Sequence, residues 1–198
     1  WMDIKKRSEN SKVPSLIYKD LDLIYRTLRD MFTQDVDQLI VDSSEVHQRC
    51  LEFADSYMPK FKSRVKLYDG KVPVFDEYGL EMEIEKALKR KVWLKSGGYI
   101  AIDQTEALVA IDVNTGKYVG KENPEATILK TNLEAAKEIV CQLRLRNIGG
   151  LIVIDFIDME IESNKEKVYQ ALEQAVKTDR SRTNILKISE LGLVEMSR

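Results

Sequence analysis

Apolar positions change period several times along the chain. Residues 1–14 are polar and predict a helix, and Ser15 to Tyr18 a short strand. Leu21, Ile24, Tyr25, Leu28, Met31 and Phe32 keep helical spacing and predict an amphipathic helix over 20–33. Gln38 to Asp42 reads as a buried strand, and Ser43 or Ser44 as the cap of a helix running to about Tyr57. Arg64 to Tyr68 alternates and stops at Asp69-Gly70, a turn signal. A helix from about Phe75 to Arg90 leads into the second half. There, 92–94, 99–103 and 107–113 read as strands. Thr131-Asn132-Leu133-Glu134 has the form of a capping box, opening a helix that buries Leu133, Ala136, Ile139, Val140 and Leu143 and ends at Gly149-Gly150. Strand 151–156 comes next. A second capping box, Ser163 to Glu166, opens a helix to about Thr178, and 184–188 and 193–196 are the last strands. Strands alternating with helices predict an α/β layer architecture.

Two of these strands end in a carboxylate. Ala107 to Ile111 runs into Asp112-Val113-Asn114, and Leu151 to Ile154 runs into Asp155. Alone, each aspartate reads best as a cap for the next element of the chain. Together, on strands that can lie side by side, they read as an open magnesium site. Side chains alternate along a strand, so Asn114 shares a face with Asp112 and is placed to orient it. Asp158, past the strand end, is a cap or a support for the site.

Longer strings now carry a resemblance. Ser96-Gly97-Gly98-Tyr99 through Asp103-Gln104-Thr105-Glu106-Ala107 leads to Ile111-Asp112-Val113-Asn114-Thr115-Gly116-Lys117. Gln142-Leu143-Arg144-Leu145-Arg146-Asn147-Ile148-Gly149-Gly150 leads to Ile154-Asp155-Phe156-Ile157-Asp158-Met159, and Asp179-Arg180-Ser181-Arg182 comes later. This resembles the catalytic region of the bacterial ribonuclease E/G family, with Thr115-Gly116-Lys117 leaning weakly to the ribonuclease G-like branch. The resemblance implies a ribonuclease H-like subdomain over 1–87, including a remnant of a preceding module, and a deoxyribonuclease I-like catalytic subdomain over 88–198. It implies a metal-dependent endoribonuclease that cleaves single-stranded RNA and leaves 5′-phosphate ends. Asp112 and Asp155 would be the metal ligands, for magnesium or, in its place, manganese, and Asn114 would complete the catalytic set. It also implies a homo-oligomer for the full-length protein. The chain begins at Trp1 and reads as a piece of a longer protein, so the alternative is a non-catalytic RNA-binding or assembly fragment.

Composition narrows the partners. Net charge is −2, so RNA contact must come from a local cationic patch. Arg144 and Arg146 follow a helix and Arg180 and Arg182 lie in a polar stretch. Each pair reads either as phosphate-binding or as a bland feature: a helix-dipole partner for the first, a solvated loop for the second. Lys117 and Lys121, after Gly116 and Gly120, read either as a mobile phosphate-facing loop or as a plain surface loop, the second being the better reading. No apolar run approaches the roughly 20 residues of a membrane span. The two cysteines, Cys50 and Cys141, lie far apart, so no zinc knuckle is expected and a cytoplasmic setting is. The one histidine, His47, offers no acid/base machinery. Trp93 and Tyr99 are able to stack on bases, with core packing the better reading for Trp93.

Overall fold

A computed structural model describes residues 2–17, 23–116, 124–186, 188–189 and 192–198. Lys117 and Lys121 lie outside the described residues. The chain divides into two compact units, Trp1–Tyr78 and Gly79–Arg198, ahead of the 87/88 division read from the sequence.

In the first unit, α1 (Met2–Asn10) and α2 (Leu23–Met31) precede β1 (Leu39–Val41), α3 (Ser44–Tyr57), a 3-10 turn at Pro59–Arg64, β2 (Val65–Leu67) and α4 (Val74–Glu77). The short strand expected near Ser15 is absent from 15–17, and Tyr18 lies outside the described residues. Ser43 caps α3, its Oγ accepting from the Val46 amide at 3.4 Å. α3 buries Cys50, Phe53 and Ala54 in a small core with Leu28, Phe32 and Val65. Strands β1 and β2 pair in parallel across the α3 crossover, with Leu39 opposite Val65. β1 is only partly buried, because its sheet has two strands.

The helix predicted over 75–90 is broken. Gly79 sits at φ 66°, the left-handed region that glycine adopts without strain, so α4 ends and α5 (Leu80–Leu88) begins anew. The second unit continues with β3 (Lys91–Trp93), β4 (Tyr99–Gln104), β5 (Val109–Asn114), α6 (Pro124–Leu145), β6 (Leu151–Asp155), α7 (Glu162–Val176), β7 (Asn184–Ile185) and β8 (Leu193–Ser197). Its six strands lie in the order β3-β4-β5-β6-β8-β7. Among the described residues of this sheet, neighbouring strands pair antiparallel except β5 and β6, which pair in parallel. They are the strands joined through a helix, α6, as a parallel connection requires.

The mixed α/β fold is lopsided. Ile100, Ile111, Ile152, Ile154 and Val194 point from one sheet face into a core with Ala135, Ile139 and Leu143 of α6 and Val168 and Leu172 of α7. Each such branched side chain, fully buried, contributes about 1.5–3 kcal/mol. Truncating Ile154 to Ala would cost about 2–5 kcal/mol. The alternate positions of β5 and β6 are partly or fully exposed, and these carry the aspartates.

Neither capping box caps a helix. Thr131 to Glu134 lie inside α6, which starts at Pro124, a residue suited to a first turn. The Thr131 hydroxyl donates back to the Thr127 carbonyl at 3.0 Å. α6 ends ahead of the glycines. Asn147 takes φ 50°, and the Ile148 amide closes on the Leu143 carbonyl at 2.9 Å. α7 starts behind Ile161, with Ser163 and Asn164 already in its first turn.

Candidate active site

The β5–β6 register brings the two carboxylates together. Asp112 is the direct partner of Asp155, and the residues below pair in step back to Val109 and Ile152. Equal register on neighbouring strands puts both side chains on the same, open face. Both residues are exposed. The Asn114 Nδ2 donates to Asp112 Oδ2 at 2.6 Å, so one carboxylate oxygen is held in place and the other left available. Partial burial raises the Asp155 carboxyl above its ordinary value, and the charges of Asp112 and then Asp158 add to the rise. Three like charges in one corner favour a cation there. Magnesium takes one or two protein carboxylates and keeps several waters, so an exposed pair suits it. Among the described residues no cluster of three or more His, Cys, Asp or Glu forms a metal cage, zinc-type or otherwise.

The surroundings of the pair come from the long helix α6. Asn132, fully buried, donates from Nδ2 to the Ile157 carbonyl at 2.8 Å and accepts from the Ile157 amide at 3.1 Å. This two-way clamp fixes the backbone two residues beyond Asp155. The Glu134 carboxylate accepts from the Ser96 amide at 2.7 Å, tying down the turn before β4. The Glu125 carboxylate accepts from Asn164 Nδ2 at 2.9 Å and from the Glu160 and Ile161 amides at 3.4 Å, supplying the cap that α7 lacks locally. These bonds, that of Asn164 first, hold the Glu125 carboxyl below its ordinary value. Sequence reading missed all three residues. One signal was available: Asn132 keeps helical spacing with Ala135, Ala136 and Ile139, and a polar residue on an apolar stripe needs a buried partner.

Two glycines bring the neighbouring loops into contact. A Cβ on Gly98 would lie 2.6 Å from the Asn114 carbonyl oxygen, and one on Gly116 2.4 Å from that of Gly97. The turn before β4 and the end of β5 therefore touch backbone to backbone. Asp158 is exposed, beside Gly192 and Lys165 in a groove next to the strand end.

The predicted arginines do not converge on the carboxylates. Asp155 lies at the C-terminal end of β6, whereas Arg144 and Arg146 precede its other end. Five residues of strand put about 13 Å between those ends. Arg146 is occupied within the chain: Nε donates to Gln142 Oε1 at 2.9 Å, and Nη2 to the Lys89 carbonyl at 2.8 Å and that of Lys86 at 3.3 Å. These bonds tie it to the end of α5, and its burial lowers its pKa. Arg144 donates to Thr178 Oγ1 at 3.2 Å. Arg180 and Arg182 are exposed, but Arg182 precedes Asn184, which pairs with Ser197 and so lies level with Leu151, again the far end. Trp93, expected in the core, is 67% exposed on the open face.

Comparison with known proteins agrees with the motifs. The model of the Ribonuclease E/G family matches residues 1–198. The chain belongs to the ribonuclease E/G family. It is 46% identical over 198 residues to ribonuclease G of Escherichia coli (strain K12), covering 100% of this chain and 40% of that protein. It is 46% identical over 198 residues to ribonuclease E of Haemophilus influenzae, covering 100% of this chain and 21% of the relative. It is 45% identical over 203 residues to ribonuclease E of E. coli (strain K12), covering 100% of this chain and 19% of the relative. The chain thus spans about two fifths or less of these relatives. Identity does not separate the two branches. Among the described residues no helix is long and apolar enough to cross a membrane.

Proposed function

We propose that this chain is the catalytic core of an endoribonuclease that hydrolyses single-stranded RNA and leaves 5′-phosphate ends, with Asp112, Asp155 and Asn114 as its site. The observation that carries the reading is the register of β5 and β6, which pairs two exposed carboxylates with an amide already aligned on one of them. In this reading the first unit is a ribonuclease H-like support and the second a deoxyribonuclease I-like catalytic body. Asp112 and Asp155 hold a magnesium ion, or manganese in its place. When bound, the ion supplies an activated water and offsets the charge on the phosphate. Asn114 orients Asp112, and Asn132 fixes the backbone beyond Asp155 so that the two carboxylates keep their spacing. Asp158 supports the site by adding negative charge beside Asp155. Arg180 and Arg182, exposed at the other end of the sheet, contact phosphates of an RNA strand far from the cleaved bond. The whole protein acts in the cytoplasm as a homo-oligomer.

The test is cleavage of a fluorescent single-stranded RNA in magnesium and in chelator. Magnesium-dependent cuts with 5′-phosphate ends, lost in Asp112→Asn and Asp155→Asn, are expected. Cleavage that survives either substitution would refute the assignment. RNA binding without cleavage would leave the chain a binding or assembly element.

A further inference from the structure

The open face of the sheet carries more than the carboxylates. Reading across the strands, Lys91, Ala101, Asp112 and Asp155 are successive register partners, and so are Trp93, Tyr99 and Asn114. All these side chains project to one face, in two adjacent rows. Trp93 is 67% exposed although Val92 beside it is buried on the core side. Its ring meets that of Tyr99 edge-on, with centroids 5.3 Å apart at 62°. The Lys91 ammonium sits 4.5 Å over the Tyr99 ring, which holds it beside the indole. The indole is thus braced by one ring, remains largely exposed, and has a cation next to it. Two strand spacings, about 10 Å, separate Trp93 from Asn114. That is on the order of one to two nucleotides of extended single strand.

We propose that Trp93, braced by Tyr99, stacks a base of the RNA flanking the cleaved phosphate, while Lys91 contacts a phosphate of the same strand. The inference rests on the nuclease reading of the neighbouring aspartates and adds substrate positioning to it. A base has an apolar face for the indole and carries its anion alongside, which is the pairing that Trp93 and Lys91 offer. Stacking accepts any base, so this contact would fix the strand's position and leave its sequence unread.

The chain has two tryptophans, Trp1 and Trp93, so Trp1→Phe leaves Trp93 as the sole emitter. That variant is titrated in chelator, where RNA stays intact, with a short single-stranded RNA and with its abasic counterpart. Quenching by the first and none by the second is expected. Anisotropy of labelled RNA should show Trp93→Ala weakening binding about 5- to 150-fold, the equivalent of about 1–3 kcal/mol per stacked base, and Trp93→Phe much less. Lys91→Ala should flatten the dependence of log affinity on log salt by about 0.7. RNA that fails to bind, binds without quenching, or binds Trp93→Ala unchanged would overturn the proposal. Magnesium-dependent cleavage is scored separately. Quenching without cleavage would sink the nuclease reading and keep the stacking site, and cleavage without quenching would do the reverse.

Discussion

Arg198 should be among the costliest side chains to remove. Its Nε donates to Asp179 Oδ2 at 2.6 Å and its Nη2 to Oδ1 at 3.3 Å, with side-chain exposures of 8% and 4%. Nη1 donates to the Ile148 carbonyl at 2.7 Å, and the backbone of Arg198 exchanges hydrogen bonds with Gly150. One guanidinium therefore ties the end of β8, the loop after α7 and the entry to β6 together. Arg198→Ala leaves Asp179 charged and buried, with the Ser181 amide at 2.9 Å as its remaining hydrogen-bond donor among the described residues and the Arg144 charge near it. Breaking a buried pair in this way costs about 3–5 kcal/mol. The lower figure is expected, because the Ser181 bond survives. Arg198→Lys keeps the charge but not the fork and should cost about 1–2 kcal/mol. The bond from Arg198 holds the Asp179 carboxyl below its ordinary value. Its folded pKa is thus below its unfolded one. The stabilisation is complete above the unfolded value of about 3.9 and is lost as pH falls through the folded value. Urea unfolding followed by tryptophan emission, at neutral pH and below about pH 4, measures both effects. Wild type and Arg198→Ala should differ by about 3 kcal/mol at neutral pH and by less in acid. A difference under about 1 kcal/mol, or one that stays the same in acid, would refute the account.

Other outcomes are expected. Asp112→Asn and Asp155→Asn should abolish magnesium-dependent cleavage while unfolding no more easily than wild type, since each removes one of the three like charges gathered there; Asn114→Ala should lower turnover less than either. Asn132→Ala should cost about 2–3 kcal/mol in urea unfolding by orphaning the Ile157 backbone groups, and lower cleavage at unchanged RNA affinity. Arg146→Ala should destabilise the second unit and leave the salt slope of RNA binding unchanged, whereas Arg182→Ala should leave stability unchanged and flatten that slope by about 0.7. Parallel anisotropy and unfolding titrations of the two variants check the contrast.

The strands of the second unit and their aspartates were legible because β-branched runs with alternating burial leave little choice of face or register. Asn114 was legible for the same reason, through its position two residues from Asp112. The capping boxes misled because a Ser or Thr three residues before a Glu caps a helix only where the helix begins. Here Glu125 caps α7 from 36 residues away in sequence, by the spacing of its bond to Ile161, and no local pattern announces that. The arginines lie away from the aspartates for a geometric reason. Arg146 precedes the strand that bears Asp155, so it lies at the opposite end of that strand from the carboxylate. Trp93 was read as core because it is large and apolar, yet the covered face of β3 belongs to Val92.

The Asn132 clamp has a dynamic counterpart. Segments just past a strand end usually fray, and their amides exchange with solvent through small local openings. The Ile157 amide lies in such a segment, but its acceptor is the buried side chain of a residue in the middle of α6. Opening it requires that helix to lift from the sheet. Hydrogen exchange at Ile157 should therefore follow the slow amides of α6 and β6, so that the turn beside the paired carboxylates opens only when the core of its unit does.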